Sequence, residues 1–206
     1  MSSLRFSNTL ADNTKLTMTV KDDCKLPSTC YVIPNTNETG SAIITIGNDI
    51  YYGGTVVLNE DVSADNVYFG NYANYSTALA IIQVSENVTV TAKEHLYITS
   101  STKLLNKGTI KANAIKSLTS SNPKIYLNGG QIDAEENAAE IYYPIKLAYN
   151  KNAGAVSTGS GETISLDPGV YYGKNEQSIS VYISTSIGYQ MKSCLLYTSP
   201  SPRDPK

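Results

Sequence analysis

The hydrophobic pattern of this chain alternates with a period of two residues, and similar alternating stretches return about every 21 residues. The stretch "LNKGTIKA" (105–112) comes back as "LNGGQIDA" (127–134), and "NVTVTA" (87–92) and "NVYFGN" (66–71) align with both. Alternation with this period predicts β-strands, in which one face carries the apolar residues and the other the polar ones. The chain is therefore expected to consist mainly of short, repeated strands.

The aligned positions give the four segments an inside and an outside. The inward positions are largely apolar or small: Val67, Val88, Gly108 and Gly130; Phe69, Val90, Ile110 and Ile132; Asn71, Ala92, Ala112 and Ala134. A second column contains Val84, Leu105 and Leu127. Lys103 interrupts the companion column two residues earlier, which indicates a bulge or a one-residue slip.

Repeats of this length predict a specific all-β architecture. About 20–22 residues with two or three short strands match one coil of a parallel β-helix (β-solenoid), in which equivalent strands stack in register. Asn87, Gly108 and Gly130 fall at corners, and Asn and Gly suit sharp corners because they tolerate left-handed backbone. We expect a parallel β-helix with an N-terminal β cap. The alternative is an antiparallel β-sandwich, which needs hairpin turns roughly every 8–12 residues.

The pattern also predicts domain limits. Residues 1–50 contain "KLTMTV" and "AIITIG" and are expected to form a β cap or small sheet. Residues 51–192 are expected to form the β-solenoid, which is most regular at 60–135. Within it, "AEENAAEIYYPIKLAYN" (134–150) is the one plausible helix, interrupted by Pro144.

The last residues have a different character. Residues 194–204 read "CLLYTSPSPRD", which resembles a translated sequencing adapter. Residues 193–206 are therefore interpreted as a non-native, adapter-derived tail and are left out of the fold prediction. We expect the natural protein to continue past Lys192 and this chain to be a truncated fragment from a bacterial metagenomic assembly.

Composition mainly excludes function classes. The 16 Lys+Arg and 18 Asp+Glu residues give a net charge of −2 without a basic run, so no nucleic-acid partner is expected. No apolar run approaches the roughly 18 residues of a membrane span, and no signal peptide is visible. The 16 Tyr, the absence of Trp and the abundant Asn, Ser, Thr and Gly are typical of extracellular β-rich proteins. An extracellular or cell-surface location is expected.

Tyrosine and cysteine supply the candidate site residues. The predicted register places Tyr68, Tyr97 and Tyr126 on the outer face, where their rings are candidates for stacking on sugar rings. The alternative is that these rings only pack on the outer sheet. Cys24 and Cys30 are the two cysteines outside the tail and are candidates for a disulfide in an oxidising compartment.

No catalytic set can be derived. His95 is the only histidine, and acidic doublets on a strand point to opposite faces rather than to one site. No cofactor is expected. The one metal alternative is Ca²⁺ held by Asp65 and Glu86 if these residues stack on adjacent coils.

A segment near the C-terminus resembles a known family. "GETISLDPGVYYG" (161–173) is similar to the "G-D-T-I-x-L-x-P-G-x-Y" segment that opens many right-handed parallel β-helices, which include pectate-lyase-like proteins and bacterial surface proteins. The matching residues are Gly161, Thr163, Ile164, Leu166, Pro168, Gly169 and Tyr171, while Glu162 replaces the usual Asp. The resemblance implies the β-helix fold. It also implies an arginine role in the enzymes that Arg5, far from the repeats, does not supply.

These observations lead to one expected function and two alternatives. We expect a fragment of a secreted or cell-surface β-helix protein with a structural or adhesive role, which contacts carbohydrate or another surface protein. The first alternative is a carbohydrate-active β-helix enzyme, a polysaccharide lyase or glycoside hydrolase truncated before its active site. The second is a phage tail fibre or spike segment. An enzyme is the less favoured reading because it needs two converging acids, or an acid and a lysine, in a cleft.

Overall fold

The computed structural model describes residues 3–7, 15–20, 31–35, 40–70, 80–147, 154–158, 161–175, 180–187 and 196–198. The chain forms two compact units, Met1–Glu140 and Ile141–Lys206. These described residues form strands and connecting turns without a helix, which confirms the all-β class. Nothing in this part of the chain has the helical length and hydrophobicity that crossing a lipid bilayer would need.

Most strands of the first unit belong to one curled, mostly parallel sheet. Its order is β12-β10-β8-β6-β5-β7-β9-β11, with β4 antiparallel on β5 and β2 parallel on β4, while β1 and β3 pair separately. The strands are β1 (Ser3–Ser7), β2 (Lys15–Val20), β3 (Tyr31–Asn35), β4 (Ser41–Ile46), β5 (Asp49–Leu58), β6 (Val62–Phe69), β7 (Ile81–Val84), β8 (Thr89–Ile98), β9 (Lys103–Asn106), β10 (Thr109–Ser117), β11 (Lys124–Leu127) and β12 (Gln131–Asn137).

Strand β5 joins the two halves of this sheet. Residues 49–52 pair with β6, and residues 55–58 pair with β7. Gly53 and Gly54 lie between them, and Gly54 has a φ of 73°, which glycine adopts without steric cost. After β5, successive strands join alternate halves, so each circuit of the chain adds one strand to each half. The architecture is solenoid-like. The proposed division at residue 50 stays a prediction.

The predicted stacking of the three most regular segments is confirmed. Ile110 pairs with Val90 on one side and with Ile132 on the other, and the neighbouring alanines follow the same register. Val90 and Ile110 are fully buried, whereas Ile132 lies on the last strand of its half and is partly exposed. Burying a large aliphatic side chain contributes roughly 1.5–3 kcal/mol, so these columns are a main source of stability.

The alignment of the first segment is wrong. "NVYFGN" does not lie beside "NVTVTA", because Val67 pairs with Leu96 rather than with Val88. Two features lengthen this circuit. Strand β8 carries Lys93 and Glu94 where β6 carries one residue, and residues 70–80 separate β6 from β7. A uniform spacing therefore misplaces the first segment by one short strand.

The interrupted column in the other half is explained by a one-residue slip. Leu104, rather than Lys103, lies between Ile82 and Ile125. All three aliphatic residues are fully buried, while Lys103 is partly exposed. The alternation is preserved once β9 is shifted by one position.

The same slip places a polar residue in the core. Asn106, rather than a leucine, lies between Val84 and Leu127 and is fully buried. Its Oδ1 accepts a hydrogen bond from the Gly108 N–H at 3.1 Å, and its Nδ2 donates to the Gln131 carbonyl oxygen at 2.9 Å. A buried amide is costly unless it is hydrogen-bonded, so these two contacts are needed to hold Asn106 in the core. They also connect the end of β9 to the corners before β10 and β12.

The predicted corner residues act in two different ways. Asn87 has a φ of 63°, the left-handed conformation expected of Asn at a corner. Gly108 and Gly130 are instead required by close approach. A Cβ atom on Gly108 would lie 2.2 Å from the Val88 carbonyl oxygen and 2.4 Å from that of Ser85. These two glycines provide space rather than an unusual backbone angle.

The described strand pairs of the second unit are antiparallel. They are β13 (Glu140–Leu147) with β15 (Tyr171–Lys174) and with β17 (Leu196–Thr198), and β14 (Gly154–Thr158) with β16 (Val181–Thr185). The prediction of a helix at 134–150 is wrong, because strands β12 and β13 occupy most of this range. Aromatic and β-branched residues in "EIYYPIKL" favour a strand, and Pro144 opposes a helix. The non-native origin of 193–206 stays a prediction.

The family-like segment of the second unit folds back on itself. Glu162 and Tyr172 form an antiparallel bridge. Between them, the Val170 N–H donates to the Asp167 carbonyl oxygen at 3.3 Å, around Pro168 and Gly169. Gly169 has a φ of 83°, so the predicted tight turn is confirmed and is of type II. The buried Tyr172 hydroxyl donates to the Asp167 carboxylate, which closes the loop.

We predict that Gly108→Ala will destabilise the first unit by about 3 kcal/mol, because the new Cβ would press on two carbonyl oxygens that cannot move independently. Urea unfolding measures the loss. Gly129→Ala is the control: it has open space around its Cβ, and its φ of 83° should cost only about 1–2 kcal/mol. A loss for Gly108→Ala no larger than the control would contradict the close-approach explanation.

Candidate ligand-binding face

Three tyrosines from neighbouring strands stack on the outer side of the sheet. The ring centroids of Tyr51 and Tyr68 are 4.3 Å apart at an interplanar angle of 10°, and those of Tyr68 and Tyr97 are 4.8 Å apart at 13°. They occupy paired positions on β5, β6 and β8. In-register parallel strands lie about 4.7–4.9 Å apart, so equivalent rings are brought to stacking distance. We call these three residues the tyrosine ladder.

Alternation along each strand turns the ladder outward. Val67 and Phe69 on either side of Tyr68 are fully buried, as are Leu96 and Ile98 beside Tyr97. The tyrosines between them are half-buried. The inner residues therefore hold the rings on the outer face of the sheet.

Stacking decides which ring surfaces a ligand can reach. Tyr68 has a neighbouring ring on each face, so it offers its edge and its hydroxyl. Tyr97 is stacked on one face only, and its other face is directed toward the β10 side, where Lys116 is its paired residue. His95 lies beside it, with ring centroids 5.4 Å apart. The ladder therefore ends at Tyr97, and the next position in the same register is occupied by Lys116.

A row of polar side chains runs beside the ladder across β5, β6, β8 and β10. The backbone N–H and Nδ2 of Asn66 donate to Asp49 Oδ1 at 3.1 and 3.0 Å. His95 Nδ1 lies 3.2 Å from Asn66 Oδ1, and Lys116 Nζ lies 2.9 Å from His95 Nε2. We call Asp49, Asn66, His95 and Lys116 the polar row.

The contacts of the polar row fit one arrangement of protons. A lysine ammonium only donates, so His95 Nε2 accepts and the imidazole proton lies on Nδ1. Nδ1–H then donates to Asn66 Oδ1, and the Asn66 amide donates to Asp49. All the hydrogen bonds run in the same direction, from the ammonium to the carboxylate. The imidazole is neutral in this arrangement.

The acid end of the row is electrostatically crowded. Burial raises the pKa of Asp49, with smaller contributions from the charges of Asp65 and Glu94, while the hydrogen bonds from Asn66 act in the opposite direction. Asn66 Nδ2 also donates to Glu94 Oε2 at 3.4 Å. Two carboxylates therefore converge on one amide group.

The hydroxyls of Tyr68 and Tyr97 remain protonated at neutral pH. Burial is the main cause that raises the pKa of Tyr68, and the neighbouring Tyr51, Asp49 and Tyr97 raise it further. Burial and the same acid group also raise the pKa of Tyr97. The phenols consequently stay neutral and can both donate and accept hydrogen bonds.

The residues suggested for Ca²⁺ do not lie in equivalent positions. Asp65 pairs with Lys93 at 3.0 Å and accepts a hydrogen bond from Asn48, whereas Glu86 lies in the turn between β7 and β8. Those two contacts lower the pKa of Asp65, first through the hydrogen bond from Lys93. Across the described ranges, no three acidic, histidine or cysteine side chains are grouped as a metal site requires.

The predicted site residues do not all lie in one place. Tyr68 and Tyr97 are brought together in the ladder. Tyr126 is fully buried, so its expected position on the outer surface is wrong. It lies in the other half of the sheet beside Leu105, which is also fully buried, because both faces of β11 are covered there. Cys24 and Cys30 fall outside the described residues, and their disulfide stays a prediction.

Sequence reasoning missed Tyr51 and the whole polar row. A signal for the ladder was present: each ladder tyrosine stands between two large apolar residues, in "IYY" (50–52), "VYF" (67–69) and "LYI" (96–98). Aligning these triplets would have given the correct register for β6 and β8. The same triplets place Asp49, Asn66 and His95 two residues before the ladder tyrosines, so three members of the polar row shared this signal. Lys116 has no such signal, because it reaches His95 diagonally from a ladder position rather than from a paired one.

Comparison with known proteins does not assign this face. The chain matches no family model, no curated protein and no solved structure.

We predict that Asp49→Asn will raise the urea midpoint at pH 7, because Asn keeps an Oδ1 acceptor for Asn66 and removes an ionised group that burial disfavours. The raised pKa of Asp49 means that its ionised form costs stability above the folded pKa and costs nothing below the unfolded value of 3.8. The gain should therefore disappear as the pH falls to about 3. Asp65→Asn is the control of opposite sign, since the pKa of Asp65 is lowered. A loss of stability in Asp49→Asn at pH 7 would contradict this account.

Proposed function

We propose that the first unit is part of a parallel β-helix in a secreted or cell-surface protein of structural or adhesive role. Like residues stack on like residues across β8, β10 and β12, and aliphatic columns run through both halves of the sheet. This pairing supports the β-helix, because each circuit contributes one strand to each half. A long lateral surface of this kind suits binding to extended partners.

The proposed ligand is carbohydrate, and the observation that carries this proposal is the tyrosine ladder beside the polar row on one outward face. Sugars combine apolar C–H faces with hydroxyls. Aromatic rings offer an apolar surface with a polar handle, and the amide, imidazole and carboxylate of the row offer both donors and acceptors. The two kinds of group lie side by side across successive strands, where an extended saccharide could contact both.

The position of each ring in the stack indicates which tyrosine matters most. Tyr97, the last ring of the ladder, is the proposed contact residue, while Tyr51 and Tyr68 hold it in place and contribute hydroxyls. Stacked aromatic pairs are worth about 0.5–1.5 kcal/mol beyond area burial, so the ladder also stabilises the sheet. Binding and structural roles can therefore be separated by position.

We predict that Tyr97→Ala will weaken carbohydrate binding about tenfold, as expected for an aromatic contact residue. A glycan array identifies a ligand, and calorimetry measures its affinity. Tyr143→Ala, a half-exposed tyrosine of the second unit, is the matched control and should bind like the unaltered chain. Urea unfolding of each variant separates lost binding from lost folding. Unchanged affinity in a folded Tyr97→Ala variant would contradict the stacking role.

One observation favours the carbohydrate-active enzyme as a second candidate. Asp49 and Glu94 converge on the Asn66 amide, and their surroundings differ: Asp49 is half-buried with a raised pKa, and Glu94 is exposed. Paired carboxylates in unlike environments are the arrangement that glycoside hydrolysis uses for a general acid and its partner.

We predict that, under this second candidate, the chain releases reducing ends from a polysaccharide and that Asp49→Asn and Glu94→Gln each abolish the release. Each variant removes one ionisable oxygen and preserves shape. Asp65→Asn removes a nearby carboxylate outside the converging pair and should retain activity. Absence of reducing ends across neutral and acidic polysaccharides, in a chain that binds them, would leave binding as the function.

A further inference from the structure

We propose that Lys116, His95 and Tyr97 form a subsite for an oxyanion on the ligand, a carboxylate or sulfate group carried by a saccharide. We call these three residues the anion subsite. The saccharide part of this inference rests on the proposed carbohydrate-binding function. The anion part stands on the geometry of Lys116 and can be tested without a saccharide.

The contact of Lys116 is with an imidazole rather than a carboxylate. Its Nζ lies 2.9 Å from His95 Nε2, which accepts a hydrogen bond from the ammonium in the proton arrangement described above. Among the described residues Lys116 has no carboxylate partner, whereas Lys93 of the preceding strand pairs with Asp65. An ammonium has three donors, and the contact with His95 uses one of them. The half-buried positive charge is therefore available to a negatively charged ligand group.

The position of the Lys116 ammonium is fixed by neighbouring side chains. His95 is fixed by Asn66, so the imidazole keeps Nε2 directed at Lys116 and holds the ammonium close to the sheet. Asp49 lies three strands away, about 14 Å at the usual strand spacing and beyond the Debye length of about 8–10 Å. Glu94 contacts Asn66 on β6, on the opposite side of β8 from Lys116. Glu136 is paired with Ala114, two residues before Lys116, and the described residues show no ion pair between Glu136 and Lys116. None of these three acids is therefore paired with the ammonium.

The surroundings of Lys116 leave room for a ligand group on one side. Lys116 is paired with Tyr97, so the two side chains are neighbours on the outer face. On the other side of β10, the pairing with β12 ends at Ile115 and Asn137, and no described residue of β12 is paired with Lys116. A saccharide that contacts Tyr97 would place a charged substituent within reach of Lys116. A carboxylate and a sulfate ester share the required charge and acceptor oxygens.

The first experiment uses His95 as a reporter, because it is the only histidine in the chain and its imidazole signals need no assignment. Sodium sulfate and sodium acetate are titrated in turn at constant ionic strength, with chloride as the replaced anion, while the imidazole ¹⁵N shifts are followed. We expect a saturable shift with at least one of the two anions. A non-saturable response to both would overturn the anion subsite.

Matched variants locate the effect. Lys116→Met should weaken anion binding about tenfold, the loss expected for one charge-assisted hydrogen bond, and Lys116→Arg should restore it. Lys111→Met removes the same charge from an exposed position of the same strand, paired with Thr91 and Asp133, and should bind like the unaltered chain. Equal binding in Lys116→Met and Lys111→Met, with both folded by urea unfolding, would overturn the proposal.

The second experiment separates this inference from the proposed function. Neutral, carboxylated and sulfated forms of one oligosaccharide are compared by calorimetry. Preference for one or both acidic forms that is lost in Lys116→Met supports the subsite and identifies the oxyanion. Equal affinity for all three forms overturns the subsite and leaves carbohydrate binding intact. Binding of no saccharide, with a saturable sulfate or acetate shift that needs Lys116, overturns the carbohydrate function and retains the anion subsite.

Discussion

In-register parallel pairing is the interaction on which the rest of the first unit depends. Paired residues on neighbouring strands point to the same face of the sheet. Val90, Ile110 and Ile132 therefore form a continuous column without any local turn specifying it. The backbone groups pair between strands, and the apolar side chains of successive circuits bury one another. A single circuit could neither pair its backbone groups nor bury its apolar side chains. The pattern must therefore recur along the chain.

The same constraint builds the candidate site. A tyrosine repeated at one register position becomes a stack, and polar residues repeated beside it become a hydrogen-bonded row. Stacking also limits the ladder, since a ring enclosed on both sides cannot offer a face to a ligand. The ladder ends beside Lys116, whose Nζ lies 2.9 Å from His95 Nε2, so the tyrosine stack and the polar row meet at β10.

The stacked strands could be predicted from the sequence where the repeat spacing is regular. The prediction failed where additional residues lie in a connection or a bulge between the repeated strands. Positions 87–134 could be aligned because period-two alternation and the corner residues agree. The first segment was misplaced because residues 70–80 lengthen the connection between β6 and β7 and β8 carries an extra residue. The outward placement of Tyr126 failed because alternation cannot show that both faces of a strand are covered. The contact of Lys116 with His95 depends on side-chain reach between unpaired positions, for which a linear pattern contains no signal.

The extra residue of β8 has a consequence for how such a chain can vary. Lys93 and Glu94 occupy the space of one residue at the bend, and the columns before and after them remain aligned. At this position one additional residue is accommodated without disturbing the interior. Related chains would be recognised by the order of their columns rather than by a constant period, and a search that assumes fixed spacing would overlook them.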